Sequence, residues 1–272
     1  LLSGTAALLL FAAAPGTRAD EKSDALMKEV EAASKAATTL TADLDMSMTI
    51  QGKAGKPNEN KFHGTVKLKK PNMARIDMLG GPGGDMTVAS DGKTVYTLNG
   101  DQYQKTTADA QGGNINAQFA LQVPIFFGSG LSMLGKDLTY QYVGQKSVDG
   151  ADYQLVNVVT KSNPGLTVTL YISSDKLVTR VNIGVKQGDQ ALSLDSTLKN
   201  VKLNTDLADA DFAYKLPANA KEMQMPDYDA KLVKVGKPAP TFDLLKPNGG
   251  KVTLASALKG KKAVLVNFWF YG

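Results

Sequence analysis

Alternation constrains this chain more than any other feature. In 41–51 (TADLDMSMTIQ), Leu44, Met46, Met48 and Ile50 alternate with Asp43, Asp45, Ser47 and Thr49. In 61–70 (KFHGTVKLKK), Phe62, Val66 and Leu68 alternate with Lys61, His63, Thr65, Lys67 and Lys69. A strand sends successive side chains to opposite faces, so a period of two means β-structure with one dry and one wet side. The same reading predicts strands over 73–79, 85–90, 93–98, 102–106, 138–147, 152–160, 166–173, 177–186 and 190–204. Asp91-Gly92, Asn99-Gly100 and Asp149-Gly150 each fall between two such runs, the strongest short-range hairpin signal. So many hairpins with one polar face make a large antiparallel sheet. The strands are too numerous for a flat open sheet, so the sheet is expected to curl or close.

Two segments break the rhythm. From Ser23 to Leu40 the apolar residues Leu26, Val30, Ala33, Ala37 and Leu40 recur at steps of four and three, which predicts a helix. Asp20, Glu21 and Asp24 stand at its start, where negative charge suits the helix dipole. Residues 114–134 (NINAQFALQVPIFFGSGLSML) are apolar without a period of two and carry Pro124. They are too short and broken to span a bilayer. They read as one or two short helices, which with the first helix cover the concave face of a curled sheet. The fold class expected is mainly β (α+β).

The bulk properties exclude several functions. Among 272 residues there is no cysteine and one histidine, and no carboxylate pair or Ser-His-Asp set stands out. Thiol, disulfide and nucleophilic chemistry therefore have no basis within these residues. No cofactor and no metal are expected, since His63 has no companion ligands. The net charge of +5 is spread thinly, without the stripe that nucleic acid requires. Gly80–Asp85 (GGPGGD) lacks the Lys-Ser/Thr and the following helix of a phosphate loop. The row Lys67, Lys69, Lys70 has two readings, a contact for anionic headgroups or an acidic partner, and a solvated strand face.

The N-terminal 20 residues (LLSGTAALLLFAAAPGTRAD) contain an apolar core from Ala6 to Ala14, then Thr17-Arg18-Ala19 as a cleavage site. Residues 1–19 are expected to be a signal peptide lacking its basic leader, cleaved after Ala19, which makes the protein exported and periplasmic; an uncleaved anchor is the competing reading. At the other end, Ala263–Phe270 is a nearly continuous apolar run, as in a strand buried on both faces. Such a strand belongs at the centre of a sheet, so the sequence is expected to be a piece cut within a second domain. Residues 223–234, with Pro226, read as a linker.

The leading helix, "GTVKLKKPNMARIDM", "VASDGKTVYTLNGDQYQK" and the closing "DADFAYKLPANA" resemble the LolA-like outer-membrane lipoprotein carrier superfamily over roughly 23–222. The resemblance implies an incomplete β-barrel with helices as a lid, and an apolar cavity for acyl chains. The cavity candidates are Leu44, Met46, Met48, Ile50, Val66, Leu68, Ile76, Met78, Phe119, Ile125, Phe126, Phe127 and Met133. Met73 is placed on or near the same face. The methionines suit promiscuous apolar ligands, with an ordinary core as the alternative. Phe119, Leu121, Ile125, Phe126 and Phe127 are read either as a mobile plug or as a buried helix that never moves. The best-known carriers have Arg before the Pro where this chain has Lys70, which lacks a planar multi-donor fork. Lys70 and Arg75 are candidates for contact with a headgroup or a partner.

Residues 235–272, with "VGKPAPTFDL", the Asn248-Gly249 turn, "LASALKGK" and "VLVNFWFYG", resemble the opening of a TlpA-type redoxin of the thioredoxin fold. In that family a Cys-x-x-Cys follows the Asn-Phe-Trp strand, here just beyond Gly272. The expectations are therefore a half-barrel over 20–222 that binds a lipid or lipoprotein acyl chain, and a truncated redoxin domain over 235–272. The alternatives are a parent thiol-disulfide oxidoreductase with the half-barrel as accessory, and a lipid-sensing regulatory or scaffold module that binds an envelope protein. Transient membrane contact is compatible with each.

Overall fold

A computed structural model describes residues 21–51, 57–81, 84–110, 112, 115, 122–128, 131–135, 137–161, 163, 165–188, 190–223, 233, 236–246, 249–261 and 264. The expected signal peptide, Phe119, Leu121, and all of Ala263–Phe270 except Val264 lie outside these residues. The chain divides into two compact units, residues 1–223 and 224–272.

The first unit begins with α1 (Glu21–Ala36) and continues into a meander of β1 (Thr39–Gln51), β2 (Asn58–Lys69), β3 (Met73–Gly81), β4 (Gly84–Asp91), β5 (Thr94–Asn99) and β6 (Gln102–Thr107). A connection carrying α2 (Gln122–Phe127) and a 3-10 turn (Leu131–Leu134) leads to a second meander. This comprises β7 (Leu138–Val148), β8 (Ala151–Thr160), β9 (Leu166–Ile172), β10 (Val178–Gln187) and β11 (Gln190–Leu203). The two meanders join because β11 returns to pair antiparallel with β1, setting Leu44 opposite Leu198 and Met48 opposite Leu194. A short β12 (Lys221–Glu222) adds in parallel to β6. The result is one curled, unclosed 12-stranded sheet in the order β12-β6-β5-β4-β3-β2-β1-β11-β10-β9-β8-β7.

The strand expectations from 73 onward agree with the structure to within two residues at either end. The three predicted turns fall at strand junctions: Asp91 and Asn99 end β4 and β5, and Asp149-Gly150 lies between β7 and β8. Asp149 and Gly150 both take positive φ, 53° and 81°, as a tight two-residue hairpin requires. The first helix is shorter than its pattern suggested. It ends at Ala36, and Leu40 belongs to β1. β-branched Thr38 and Thr39 follow, and Asn204 holds the chain there: its Oδ1 accepts from the Thr38 amide at 2.8 Å. Thr39 Oγ1 donates to the Thr205 carbonyl at 2.7 Å.

The concave face forms two packed clusters. One gathers Leu44, Met46, Val66, Leu68, Ile76 and Met78 under Val123, Phe126 and Phe127. The other gathers Val156, Leu170 and Val181 of the second meander under Leu26, Met27, Val30 and Ile125. Each such side chain contributes about 1.5–3 kcal/mol on burial. Gly64 allows the close approach of β2 and β3: a Cβ there would stand 2.1 Å from the Asp77 carbonyl oxygen.

Residues 205–220 run as a strap across the opposite face. Asp211 takes the Lys67 ammonium at 2.7 Å, and Asp209 takes that of Lys69 at 2.7 Å. Tyr214 lies under the Arg75 guanidinium, 4.5 Å from its ring centre, and Phe212 is fully buried.

The second unit contains a hairpin of β13 (Asp243–Leu245) and β14 (Lys251–Thr253), then α3 (Leu254–Leu258). Thr253 caps α3: its hydroxyl accepts from the Ser256 amide at 3.0 Å, and the Ser256 hydroxyl accepts in return from the Thr253 amide at 2.9 Å.

Candidate functional site

The connection from β6 to β7 has to pass from one end of the sheet to the other, because those strands lie near opposite edges. Its described helix, α2, packs against the concave face. Six residues cannot sustain a helix alone. Gln122 anchors it: the side-chain amide donates to the carbonyls of Ser196 (2.8 Å) and Thr179 (3.2 Å) and accepts from the Ser196 hydroxyl (2.7 Å). Thr179 sits where the β9–β10 register shifts, so the amide satisfies a carbonyl at that irregularity. Phe126 and Phe127 meet edge to face at 5.3 Å. Gly112, at φ 69°, admits the Phe127 ring where a Cβ would come within 2.8 Å of it.

A second element is the turn Lys70-Pro71-Asn72 between β2 and β3. The Asn72 amide donates to the carbonyls of Gly92 (3.0 Å) and Asp109 (2.9 Å), and the Ser90 hydroxyl donates to the Asn72 carbonyl at 2.7 Å. The Lys-Pro-Asn and Ser-Asp-Gly-Lys stretches, distant in sequence, are thus one assembly. It holds the Lys70 backbone, whose amide donates to the Thr38 carbonyl at 2.9 Å. The Lys70 ammonium in turn donates to the Ser34 carbonyl of α1 and stands 4.8 Å from the centre of the Phe126 ring.

Between α1, α2 and the 3-10 turn lies a cleft of about 660 Å³, within the range of small-molecule sites, about 300–1,000 Å³. Met27, Val30, Ile125, Phe126, Phe127 and Leu131 form its apolar walls, and Asp24, Lys28, Glu31, Lys35 and Tyr140 give it a polar rim. Lys35 binds Glu31 at 2.7 Å, and this hydrogen bond lowers the Glu31 pKa. Burial pushes Lys70 below the ordinary lysine value. Burial raises the Tyr140 phenol, aided by the negative charges of Asp24 and Glu31. Among the described residues no group of three potential metal ligands occurs, and no helix is long and apolar enough to cross a membrane.

The candidates from sequence separate into distinct places. Ile125, Phe126, Phe127 and Lys70 line the cleft. Leu44, Met46, Val66, Leu68, Ile76 and Met78 are packed core rather than walls of an open cavity, because α2 and its neighbours fill the space above them. Met48 is half-buried. Ile50, on the same face, is 46% exposed. Met73 pairs with Lys69 on β2, while Ala74 pairs with Leu68, so Met73 faces away from the core with Arg75. Arg75 is on the strap side and also binds Asp77 at 2.7 Å. Phe119 and the Met133 side chain lie outside the described residues. His63 is exposed and bonded to Asp45 at 2.6 Å.

Sequence reasoning missed Met27, Leu131 and Tyr140. The signal for Met27 was present: Ser23, Met27, Val30 and Ser34 are buried on α1 and form a stripe of their own at steps of four, three and four.

The concave sheet with its helical cover is similar to several solved structures. A conserved protein of Thermus thermophilus matches at 11% identity and a TM-score of 0.47, covering 75% of this chain and 99% of that one. The lipoprotein LppX of Mycobacterium tuberculosis matches at 13% identity and a TM-score of 0.41, covering 70% and 98%. A LolA superfamily protein of Nitrosomonas europaea matches at 12% identity and a TM-score of 0.36, covering 71% and 97%. A curated relative, protein MJ0687 of Methanocaldococcus jannaschii, is 24% identical over 200 residues, 74% of this chain. The chain spans about half, 53%, of that relative's length. A family model described as "Predicted periplasmic protein (DUF2092)" matches residues 23–225, from within α1 to just past β12, and the chain belongs to that family.

Proposed function

We propose that the first unit binds an acyl chain, of a lipid or lipoprotein, in the α1–α2 cleft, and that it does so in the periplasm. The observation that carries this reading is the cleft itself: about 660 Å³ walled by apolar side chains beside a sheet interior that is otherwise packed. Each buried methylene contributes about 0.8 kcal/mol. A chain of a dozen carbons thus contributes roughly 10 kcal/mol before the costs of ordering it, without a strong polar contact. The family's description as periplasmic supports the compartment.

The test is displacement of the fluorescent apolar probe N-phenyl-1-naphthylamine by dodecanoate, compared between the native chain and Leu131→Trp, which narrows the cleft. Displacement from the native chain and its loss in the variant, with unchanged circular dichroism, is the expected result. Equal binding by both proteins places the ligand elsewhere and overturns the reading.

The opening-of-a-redoxin reading of residues 235–272 is supported by their resemblance and by the order hairpin then capped helix. In that reading the first unit is a targeting or substrate-holding module for a thiol-disulfide oxidoreductase. A gene that continues past Gly272 without a Cys-x-x-Cys overturns it.

A further inference from the structure

Lys70 is the unusual member of the cleft. Lys70 lines the wall, and its ammonium meets a neutral carbonyl, that of Ser34, and the face of Phe126, two residues that line the cleft with it. Among the described residues no carboxylate comes within ion-pair distance of it. Glu31, one turn earlier on α1 than Ser34, is engaged by Lys35. An ammonium has three donors, and the Ser34 carbonyl accounts for one. A partly desolvated charge without a counter-ion is costly, and an anion delivered beside it removes that cost.

The size of the cleft adds a second constraint. At roughly 30 Å³ for each methylene-sized unit, the share of a water in liquid, a space of 660 Å³ corresponds to about 22 units, room for one chain of about 12 to 18 carbons with its head and not for two dodecyl chains with theirs.

We propose that the cleft selects a single-chain amphiphile with an anionic head, carboxylate or phosphate, which is received by Lys70. This rests on the acyl-binding reading above and deepens it. The anion takes the free donors of the ammonium while the Ser34 bond persists, and the tail lies along the apolar walls. Lys28, also on the rim but nearly two turns of α1 away from Ser34, takes no part.

The experiment compares dodecanoate, dodecyl phosphate, dodecan-1-ol and inorganic phosphate as competitors of N-phenyl-1-naphthylamine on the delipidated full chain. Both amphiphilic anions are expected to bind about tenfold or more tighter than the alcohol, the scale of one charge-assisted contact, and inorganic phosphate is expected not to compete. In Lys70→Met the anions fall to within about twofold of the alcohol measured on the same variant. Lys70→Gln, which retains a donor for the Ser34 carbonyl but not the charge, gives the same loss. Lys70→Arg and Lys28→Gln keep the preference. Equal binding of anions and alcohol by the native chain, or a preference that survives in Lys70→Gln, overturns the proposal and leaves acyl binding standing. Competition by inorganic phosphate overturns it in favour of a tail-free anion site. Failure of every amphiphile to bind overturns the acyl-binding reading itself.

Discussion

The ammonium of Lys70 donates to the backbone carbonyl of Ser34, so the turn after β2 is tied to the last turns of α1. A lysine at this place satisfies a carbonyl near the helix C-terminus, where positive charge is favoured. The bond and the contact with Phe126 join three elements that share no hairpin.

Lys70→Met is expected to cost about 1–2 kcal/mol through the lost bond and the lost cation–aromatic contact, read as a lower urea midpoint. Lys70→Arg is expected to recover most of it. Burial lowers the Lys70 pKa, so the unfolded chain holds this proton more tightly. Between the folded value and the unfolded one, about 10.4, stability therefore rises with pH through this group. The native chain should gain on Lys70→Met as pH approaches 10 from below, and parallel stability curves would show that the group does not titrate this way.

Gln122→Ala is expected to lose about 2–3 kcal/mol, because it leaves the buried Ser196 hydroxyl and the Thr179 carbonyl without their partner. Amides of α2 should then exchange faster than those of β1. Exchange that changes across the whole unit in step would mean that the amide supports global stability and not the seat of α2.

Phe212→Ala is expected to cost about 3–5 kcal/mol, the range for emptying a buried aromatic site. Asp211→Asn, one residue away, weakens a pair with Lys67 in which both side chains are about a third or more exposed, and is expected to move the denaturation midpoint far less than Phe212→Ala does. Denaturant titrations of the two variants decide whether the strap is held by its buried ring or by its surface charges.

Asp91 accepts from the backbone amides of Lys93 and Thr94, both at 2.8 Å. The Thr94 bond is the largest cause of its lowered pKa. The folded carboxyl gives up its proton more readily than the unfolded one. Its stabilisation is therefore full above about pH 4 and is lost as pH falls through the folded value. Asp91→Ala should lower stability by about 0.5–1.5 kcal/mol at neutral pH and should lie closer to the native chain at pH 2 to 3. A difference that stays constant across that range would assign the loss to the turn backbone and not to the carboxylate.

Much of the sheet was legible because its code is local. Alternation and the Asp-Gly and Asn-Gly turns located β3 to β11 closely, whereas Met73, expected on or near the face of Ile76 and Met78, lies on the other one, as its odd position in a period of two requires. What alternation leaves out is cover. Leu44 and Ile50 share a face of one strand, yet exposure climbs from 2% to 46% between them, a difference of cover that alternation does not encode. The cleft was legible only in part for the same reason. Ile125, Phe126, Phe127 and Leu131 lie within one aperiodic apolar segment, but their partners Met27 and Tyr140 come from α1 and β7, two other places in the chain.

By itself, the sequence determined that this chain forms antiparallel hairpins with one wet face, and that no thiol chemistry resides in these residues, which include no cysteine. Those properties depend on neighbours a few residues apart and on composition. The tertiary structure decided that β11 returns to β1, that α2 divides the concave face into two clusters, and that Lys70 meets Ser34 across 36 residues. Those are contacts between segments that carry no local mark of each other. They form only when the sheet curls and a short helix has to bury its apolar side against the one surface still open to it.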